Sequence, residues 1–309
     1  MAAPTNTFTT ASAVGNREDL SDVIYKTSPT ETPLFSALGK GTASGIKHEW
    51  QTQALAAAGD NAAPEGDDAV AIAVTPTERL NNYCQIATKT VSVSGTQDAV
   101  NSAGRKKEFG YQMMLKSQEL KLDMEWGLTR NSVAVTSGTR KARGLIGWVD
   151  AANVNAGAGY VAPNYRTNVA QTDGTTRAFT EAQLKDVCQK VFTSGGNPTV
   201  IMMGPVAKQT FSSFTGGSTR QDQSEDKKVV AAVDVYVSDF GTLKAIPNRI
   251  MRSRDIAVLD PDMWSVDYLR PFATSDLGKT GDSTRKQIVV EYTLTCKNPL
   301  ANGFIVDIA

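Results

Sequence analysis

The side chains that could carry chemistry are few and scattered. One histidine, His48, stands in a β-rich run beside Glu49 and Trp50. General acid–base work and metal binding both lean on imidazole. A single ring with no second ligand at metal spacing reads instead as a packed or hydrogen-bonded strand residue. The three cysteines, Cys84, Cys188 and Cys296, are odd in number and far apart. That pattern fits buried free thiols in a reducing compartment, with no disulfide framework and no zinc site. There is no Ser/His/Asp set and no RNA-binding aromatic motif.

Four short motifs remain. Ala273-Thr-Ser-Asp-Leu-Gly-Lys-Thr280 matches a loose phosphate-loop pattern. A working phosphate loop joins a strand to a helix whose N-terminus faces the phosphates. Here Gly281-Asp-Ser and then a strand follow, so no helix start is available. Asp239-Phe-Gly241 matches a kinase metal motif but lacks a catalytic loop or a Gly-rich loop, and reads as a turn after a strand. Glu65-Gly-Asp-Asp68 could hold a hard cation through carboxylates, and equally reads as a solvated acidic tip. Arg249, Arg252 and Arg254 form the densest basic cluster, with Arg252 and Arg254 expected on one strand face. They suit a solvated sheet edge, or an electrostatic partner such as a phosphate or an acidic neighbour.

The elements that must position these residues have an unusual outline. Two β-rich runs, His48–Leu55 and Asn82–Ser94, are separated by about 25 polar, alanine-rich and acidic residues. The first strand spans Ile46–Leu55 and the return strand Tyr83–Val93. Between them Leu55–Asn82 holds five acids (Asp60, Glu65, Asp67, Asp68 and Glu78) against one base, Arg79. A hairpin with an acidic tip fits best. A charged helical stretch follows over Asp98–Asn131, with Phe109, Met113, Leu120, Met124 and Leu128 near a 3.6 period. Unbroken, it would run about 50 Å, although Gly104, Gly110 and Gly127 count against continuity. An arm that reaches out and a rod beside it imply a chain that completes its core with neighbours.

Either side the reading is plainer. Asn16–Tyr25 is a short helix candidate, and the prolines of Ser28-Pro-Thr-Glu-Thr-Pro33 end it. Arg143–Val149 is a short strand or turn, and Ala151–Thr176 a long loop. Thr180 with Gln183 forms a capping box for a helix over Glu181–Phe192 that places Leu184, Val187, Cys188 and Val191 on one face. Thr199–Met203 reads as a buried strand and Gly204-Pro205 opens a second helix. A polar loop over Thr215–Lys228 precedes strands at Val229–Val237, Thr242–Ile246, Ile256–Leu259 and Ser265–Leu269. In Gln287–Lys297, strict alternation puts Ile288, Val290, Tyr292, Leu294 and Cys296 on one covered face and leaves the other wetter. Phe304–Ile308 forms a last strand.

Composition narrows the function. The 309 residues are 40% hydrophobic, enough for a packed core, and 32 basic side chains balance 32 acidic ones. A dedicated nucleic-acid binder would show a basic excess. The first residues, MAAPTNTFTTASAV, lack a secretory signal's charged and apolar regions, and no apolar stretch approaches the roughly 20 residues of a bilayer span.

The ordered motifs Gly15–Tyr25, Ser28–Pro33, His48-Glu-Trp-Gln-Thr52, Asn82-Tyr-Cys-Gln-Ile86, Ser94-Gly-Thr-Gln97, Val235–Gly241, Lys279-Thr-Gly-Asp-Ser283 and Glu291-Tyr-Thr-Leu294 resemble a known family. It is that of the major head (capsid) proteins of tailed phages with the Hong Kong ninety-seven fold. The resemblance runs almost end to end, and Val149–Ala178 carries little of it. It implies an α+β fold with residues 1–45 as N-terminal arm and 46–95 as an extended β-hairpin loop over an adjacent subunit. Residues 96–179 are then a peripheral domain with a spine helix over 98–131, and 180–262 an axial domain. Residues 263–309 return to the peripheral sheet. The implied function is a virion structural protein, not an enzyme, without cofactor or metal. Its copies form hexamers and pentamers of an icosahedral head around double-stranded DNA, assembled in the bacterial host cytoplasm. The implied partners are other copies, scaffold, portal and decoration proteins and, non-specifically, the packaged DNA, with no membrane. Trp50, Glu65, Asp67, Asp68, Arg249, Arg252 and Arg254 are the expected inter-subunit contacts, the acids seating on a neighbour's arginines. The alternatives are a decoration or tail protein, or a nucleotide-binding enzyme using residues 273–280. Calorimetric titration with ATP separates the last: no saturable micromolar binding is expected, and its appearance would overturn the structural reading.

Overall fold

The computed structural model describes residues 27–66, 68, 71, 73–100, 102, 104, 107–214 and 234–309. The helix candidate over 16–25, the loop over 215–228 and the start of the strand expected from Val229 lie outside them. The described chain opens with α1 (Pro33–Ala37), which has proline in its first turn, and β1 (Gly39–Thr42). A hairpin of β2 (Lys47–Thr52) and β3 (Glu78–Tyr83) follows, then β4 (Gln85–Ser94), α2 (Gly95–Ala99) and α3 (Glu108–Arg130). After β5 (Val154–Asn155) come α4 (Glu181–Thr193), β6 (Val200–Met203), α5 (Pro205–Ser212), β7 (Val235–Ser238), β8 (Gly241–Pro247) and β9 (Ile256–Leu259). The long strands β10 (Trp264–Asp276) and β11 (Ser283–Cys296) and the short β12 (Gly303–Ile305) end the chain.

Two sheets organise these elements. The first has the order β1-β10-β11-β4, with α3 lying against β4 and β11. The second has the order β5-β12-β9-β6-β8-β7. Its central strands β6 and β9 are buried at every position, as strands covered on both faces must be. Ile201, Met203, Ile256, Val258 and Ile305 face the core shared with α4 and α5. Met202, Ala257, Leu259 and Phe304 face the larger core beneath α3 and the first sheet. The pleat joins the two halves: neighbouring residues of one strand serve different cores.

Several sequence expectations hold. The capping box of Thr180 and Gln183 is formed, and Leu184, Val187, Cys188 and Val191 are buried. The strand Ile256–Leu259 has the expected bounds. All three cysteines are free and buried, and burial pushes the Cys84 and Cys188 thiols up to about 11.

Other expectations are corrected. The rod starts at Glu108, not Asp98: α2 ends at Ala99, and Gly104 takes a positive φ of 73° that a helix cannot accommodate. Gly127 is not a break. A Cβ there would sit 3.0 Å from the Tyr292 hydroxyl, so glycine lets β11 approach the helix. The return strand divides at buried Cys84, whose N–H reaches the Ile46 carbonyl. Residues Glu78–Tyr83 pair with β2, and Gln85–Ser94 pair with β11 in the main sheet. The polar face of β11 is covered rather than wet over Glu291, Thr293 and Thr295. The last strand joins the second sheet, antiparallel to β9 and parallel to β5, instead of returning to the first. Residues 33–42 are built into the body: Leu34, Phe35 and Leu38 enter the larger core and β1 pairs in parallel with β10.

One buried carboxylate ties these parts together. Glu125 of α3 is fully buried and accepts the backbone N–H groups of Leu34 (2.9 Å) and Phe35 (2.8 Å) and the side-chain amide of Asn248 (2.6 Å). It supplies the cap that α1 lacks at its own N-cap residue, Thr32. Burial raises its carboxyl above the ordinary range, and the three donors offset part of that cost. Glu125→Ala should destabilise the unassembled subunit by about 3 kcal/mol in urea unfolding, because three buried donors lose their acceptor. Glu125→Gln should recover only part of this, since its amide nitrogen would face donors.

Candidate inter-subunit interface

The β2–β3 hairpin is an arm with a firm root. Asn82 is fully buried there. Its side-chain amide donates to the Leu294 carbonyl (2.7 Å) and the Arg143 carbonyl (2.9 Å), and its oxygen accepts the Arg143 N–H (2.8 Å). Trp50 donates from Nε1 to the Cys296 carbonyl at 2.9 Å. Its ring packs 5.4 Å from Trp148, which packs 5.6 Å from Tyr165. The Arg143 guanidinium stacks 4.7 Å over Trp148, and burial pushes it down to about 10. His48 is a strand residue with Nε2 3.2 Å from the Asp267 carboxylate. At the outer end of the hairpin Arg166 clamps Glu78, with Nη2 2.9 Å from Oε2. Lys47 (2.6 Å) and Arg79 both reach Glu49 and hold its carboxyl below the ordinary range.

Beyond the last rung, Thr52 opposite Glu78, the Gln53 amide donates to the Thr75 carbonyl at 3.0 Å. Every described residue from 53 to 77 is exposed. Leu55 and Val74 are 96% and 88% exposed, far more than the other large apolar side chains among the described residues. The stretch contains Asp60, Glu65, Asp67 and Asp68 and no lysine or arginine.

The sequence-derived contact residues divide into three groups. Trp50 serves its own subunit as the arm's anchor. Glu65 and Asp68 lie exposed on the excursion, and Asp67 falls outside the described residues. The arginines do not share a strand face, because Asn248–Asp255 is a turn: Asn248 Oδ1 accepts the Ile250 N–H and ends β8. Arg252 makes a two-pronged contact to Asp173 (2.8 and 2.6 Å) and reaches Asp255 at 3.1 Å. Arg254 reaches Asp307 at 2.7 Å and the Gly174 carbonyl at 2.6 Å. These two are thus engaged within the chain, and they fasten the 151–176 loop and the C-terminus to the turn. Arg249 keeps an exposed guanidinium, 3.8 Å from Glu31.

Glu125, Asn82, Asp255 and Asp307 escaped the sequence reading. Glu125 alone left a trace, as an acid next to Met124 on the stripe that includes Leu128. Asp307 adopts a positive φ of 61° and accepts the Gly157 and Gly174 N–H groups (3.3 and 2.9 Å).

The enzyme-like motifs dissolve into turns. Ala273–Asp276 ends β10, the chain turns through Gly281 (φ 144°), and β11 begins at Ser283. Strand therefore follows Lys279–Thr280 where a phosphate loop needs a helix. Asp239-Phe-Gly241 is the β7–β8 turn. Among the described residues no group of three or more His, Cys, Asp or Glu could hold a metal ion, and no helix is long and apolar enough to cross a membrane.

The sequence and the fold match known proteins. The sequence profile of the SU10 major capsid protein family matches residues 3–309. The chain belongs to that family. This capsid protein is 28% identical over 348 aligned residues to the major capsid protein of Escherichia phage Phieco32, covering 100% of this chain and 99% of that one. Its fold is similar to the cyanophage A-1(L) capsid (TM-score 0.65, 13% identity, 97% and 98% of the two chains covered). It is also similar to the capsid of a native GTA particle (TM-score 0.69, 9% identity, 97% and 98% covered). The chain is a structural component of a tailed-phage virion, and the α+β capsid fold expected from the sequence is the one observed.

The Arg–Asp cluster makes this capsid protein's stability pH-dependent. Burial lifts the Asp255 carboxyl to about 6 from an ordinary 3.8. Arg252 and Arg254 pull it down, and Asp173 and Asp307 push it up. Its Oδ1 is buried with no hydrogen-bond partner. The folded value lies above the unfolded one, so its contribution to stability is full below about pH 4 and is lost as pH rises through about 6. Asp255→Asn should flatten urea-derived stability across that window. It should exceed the parent by about 2 kcal/mol above about pH 7.

Proposed function

We propose that this major capsid protein builds its icosahedral head by lapping the arm of each subunit onto the next copy, within hexamers and pentamers around double-stranded DNA. In this reading the N-terminal arm is the part of the chain before α1, and the extended loop is the β2–β3 hairpin with its excursion, β4 belonging to the main sheet. Residues 96–179 form the peripheral domain, 180–262 the axial domain that gathers at capsomer centres, and β10 and β11 the return strands, after which β12 joins the second sheet. The protein works by contact, not catalysis, and its other partners are scaffold, portal and decoration proteins and the packaged DNA.

The supporting observation is the contrast within the arm. Its root is held by Asn82 and Trp50 and its outer rung by Arg166, yet no described side chain from 53 to 77 is buried against its own subunit. Two large apolar groups held in water have little reason to persist unless another surface removes them from it. The acids Glu65, Asp67 and Asp68 make the excursion's contact partly electrostatic, and Arg249, unlike Arg252 and Arg254, has a guanidinium placed to meet them on a neighbour. Near-zero net charge limits repulsion among crowded copies.

Deleting Ala56–Val74, which leaves the β2–β3 ladder intact, should yield a subunit with unchanged far-UV circular dichroism. Electron microscopy should find no closed shells. Normal shells from this variant would sink the arm reading.

A further inference from the structure

The deepest basic side chain of the body has no acid. Arg143 is 2% exposed and, among the described residues, is the only arginine or lysine in the buried interior. Its neighbours in sequence and space are better served. Arg140 and Arg270 share Glu291, Arg252 takes Asp173 and Asp255, and Arg254 takes Asp307. The Arg143 guanidinium donates from Nη2 only to a neutral oxygen, that of the Asn168 side chain, at 2.9 Å. Burial lowers its pKa and no neighbouring acid raises it.

Its other terminal nitrogen, Nη1, is buried with no hydrogen-bond partner. So is Nε1 of Trp148, the ring over which the guanidinium carbon lies at 4.7 Å. Trp148 is itself fully buried. Two orphan donors and one uncompensated positive charge therefore belong to a single stack. The backbone makes room for it. A Cβ on Gly147 would lie 2.4 Å from Arg143 Cγ, so glycine lets the arginine stem cross the chain there.

Each orphan donor is costly, and an unpaired buried cation more so. The group that answers all three is an acceptor with a negative charge. A water would accept from both donors, but it carries no charge and brings two hydrogens that need acceptors. Phosphate or sulfate would bring four oxygens to two donors and leave buried acceptors unpaired. A monatomic monovalent anion has neither fault.

We propose that Arg143 Nη1 and Trp148 Nε1 bind one small monovalent anion, of the size and charge of chloride, beneath the root of the arm. The place gives the site a consequence. Trp148 is the ring against which Trp50 packs, and Arg143 supplies the backbone N–H and carbonyl that hold Asn82. An anion that settles this stack firms the anchor of the β2–β3 hairpin.

The test is urea unfolding of the full-chain, unassembled subunit at constant ionic strength, with sodium chloride exchanged for sodium gluconate. One bound anion predicts that raising chloride from about 20 to about 200 mM increases the folding constant about tenfold. Bromide should do the same. Arg143→Met keeps much of the bulk, removes the charge and should lose the dependence. A variant as chloride-sensitive as the parent would assign the effect to another place and overturn the proposal. If that variant fails to fold, crystals of the parent grown in bromide give the second reading, an anomalous peak between Arg143 Nη1 and Trp148 Nε1. Absence of a peak there overturns the proposal. So does equal stability in chloride and gluconate, which together with a peak would mean binding at crystal concentration only.

Discussion

The body depends on a carboxylate that water never reaches. Glu125 sits in the middle of the apolar underside of α3, where an ionised group is costly. That cost is met by three donors from two remote segments, the start of α1 and the Asn248 turn. One side chain thereby fixes the entry of the N-terminal segment, the position of the long helix and the turn that joins β8 to β9 in the second sheet. Burying a charge to hold three chain segments in register favours one arrangement over many: an apolar residue in its place would pack, but would choose no partner. The neighbouring polar residues continue this logic. Asn82 fixes the arm's root and Asn302 holds Trp264 and the backbone at Asp260. Each is a buried amide whose hydrogen bonds are directional and satisfied.

The two sheets divide the remaining work. Strands β6 and β9 are buried on both faces and act as the wall between the cores. The β10–β11 hairpin has a different character along its length. Its inner half is packed beneath α3, and its outer half, from Arg270 to Asp276, stands exposed on β10. One continuous pair of strands thus connects the deepest part of the body with its periphery. Register shifts on either side of Arg270 mark the change from packed to projecting.

Much of this was legible in residue pattern, and the failures share a cause. The period of α4, its capping box and the apolar run of β9 act over a few residues, and the structure reproduces them. Partner choice acts over many. Nothing in the uniformly β-rich run from Asn82 to Ser94 marks Cys84 as the point where the chain leaves β3 for the main sheet. Only the pairing with β11, some 200 residues later, decides it. Arg252 and Arg254 resembled a free basic patch because Asp173 and Asp307, 79 and 53 residues away, quench them. The exposed arm was readable because it is defined by what its own sequence lacks: a stretch of alanines and acids without period cannot build a core. The family resemblance added the kind of object this chain makes, which residue spacing could not supply.

The firm root of the hairpin has a consequence for how the excursion can be used. Trp50, Asn82 and the Glu78–Arg166 pair fix both β2 and β3, so residues 53 to 77 leave the body and re-enter it at set places. A segment held at both ends has already lost part of the freedom that a loose tail would lose on meeting a surface. Its sequence can therefore stay poor in apolar side chains and still make an ordered contact, because the root rather than the tip supplies the order.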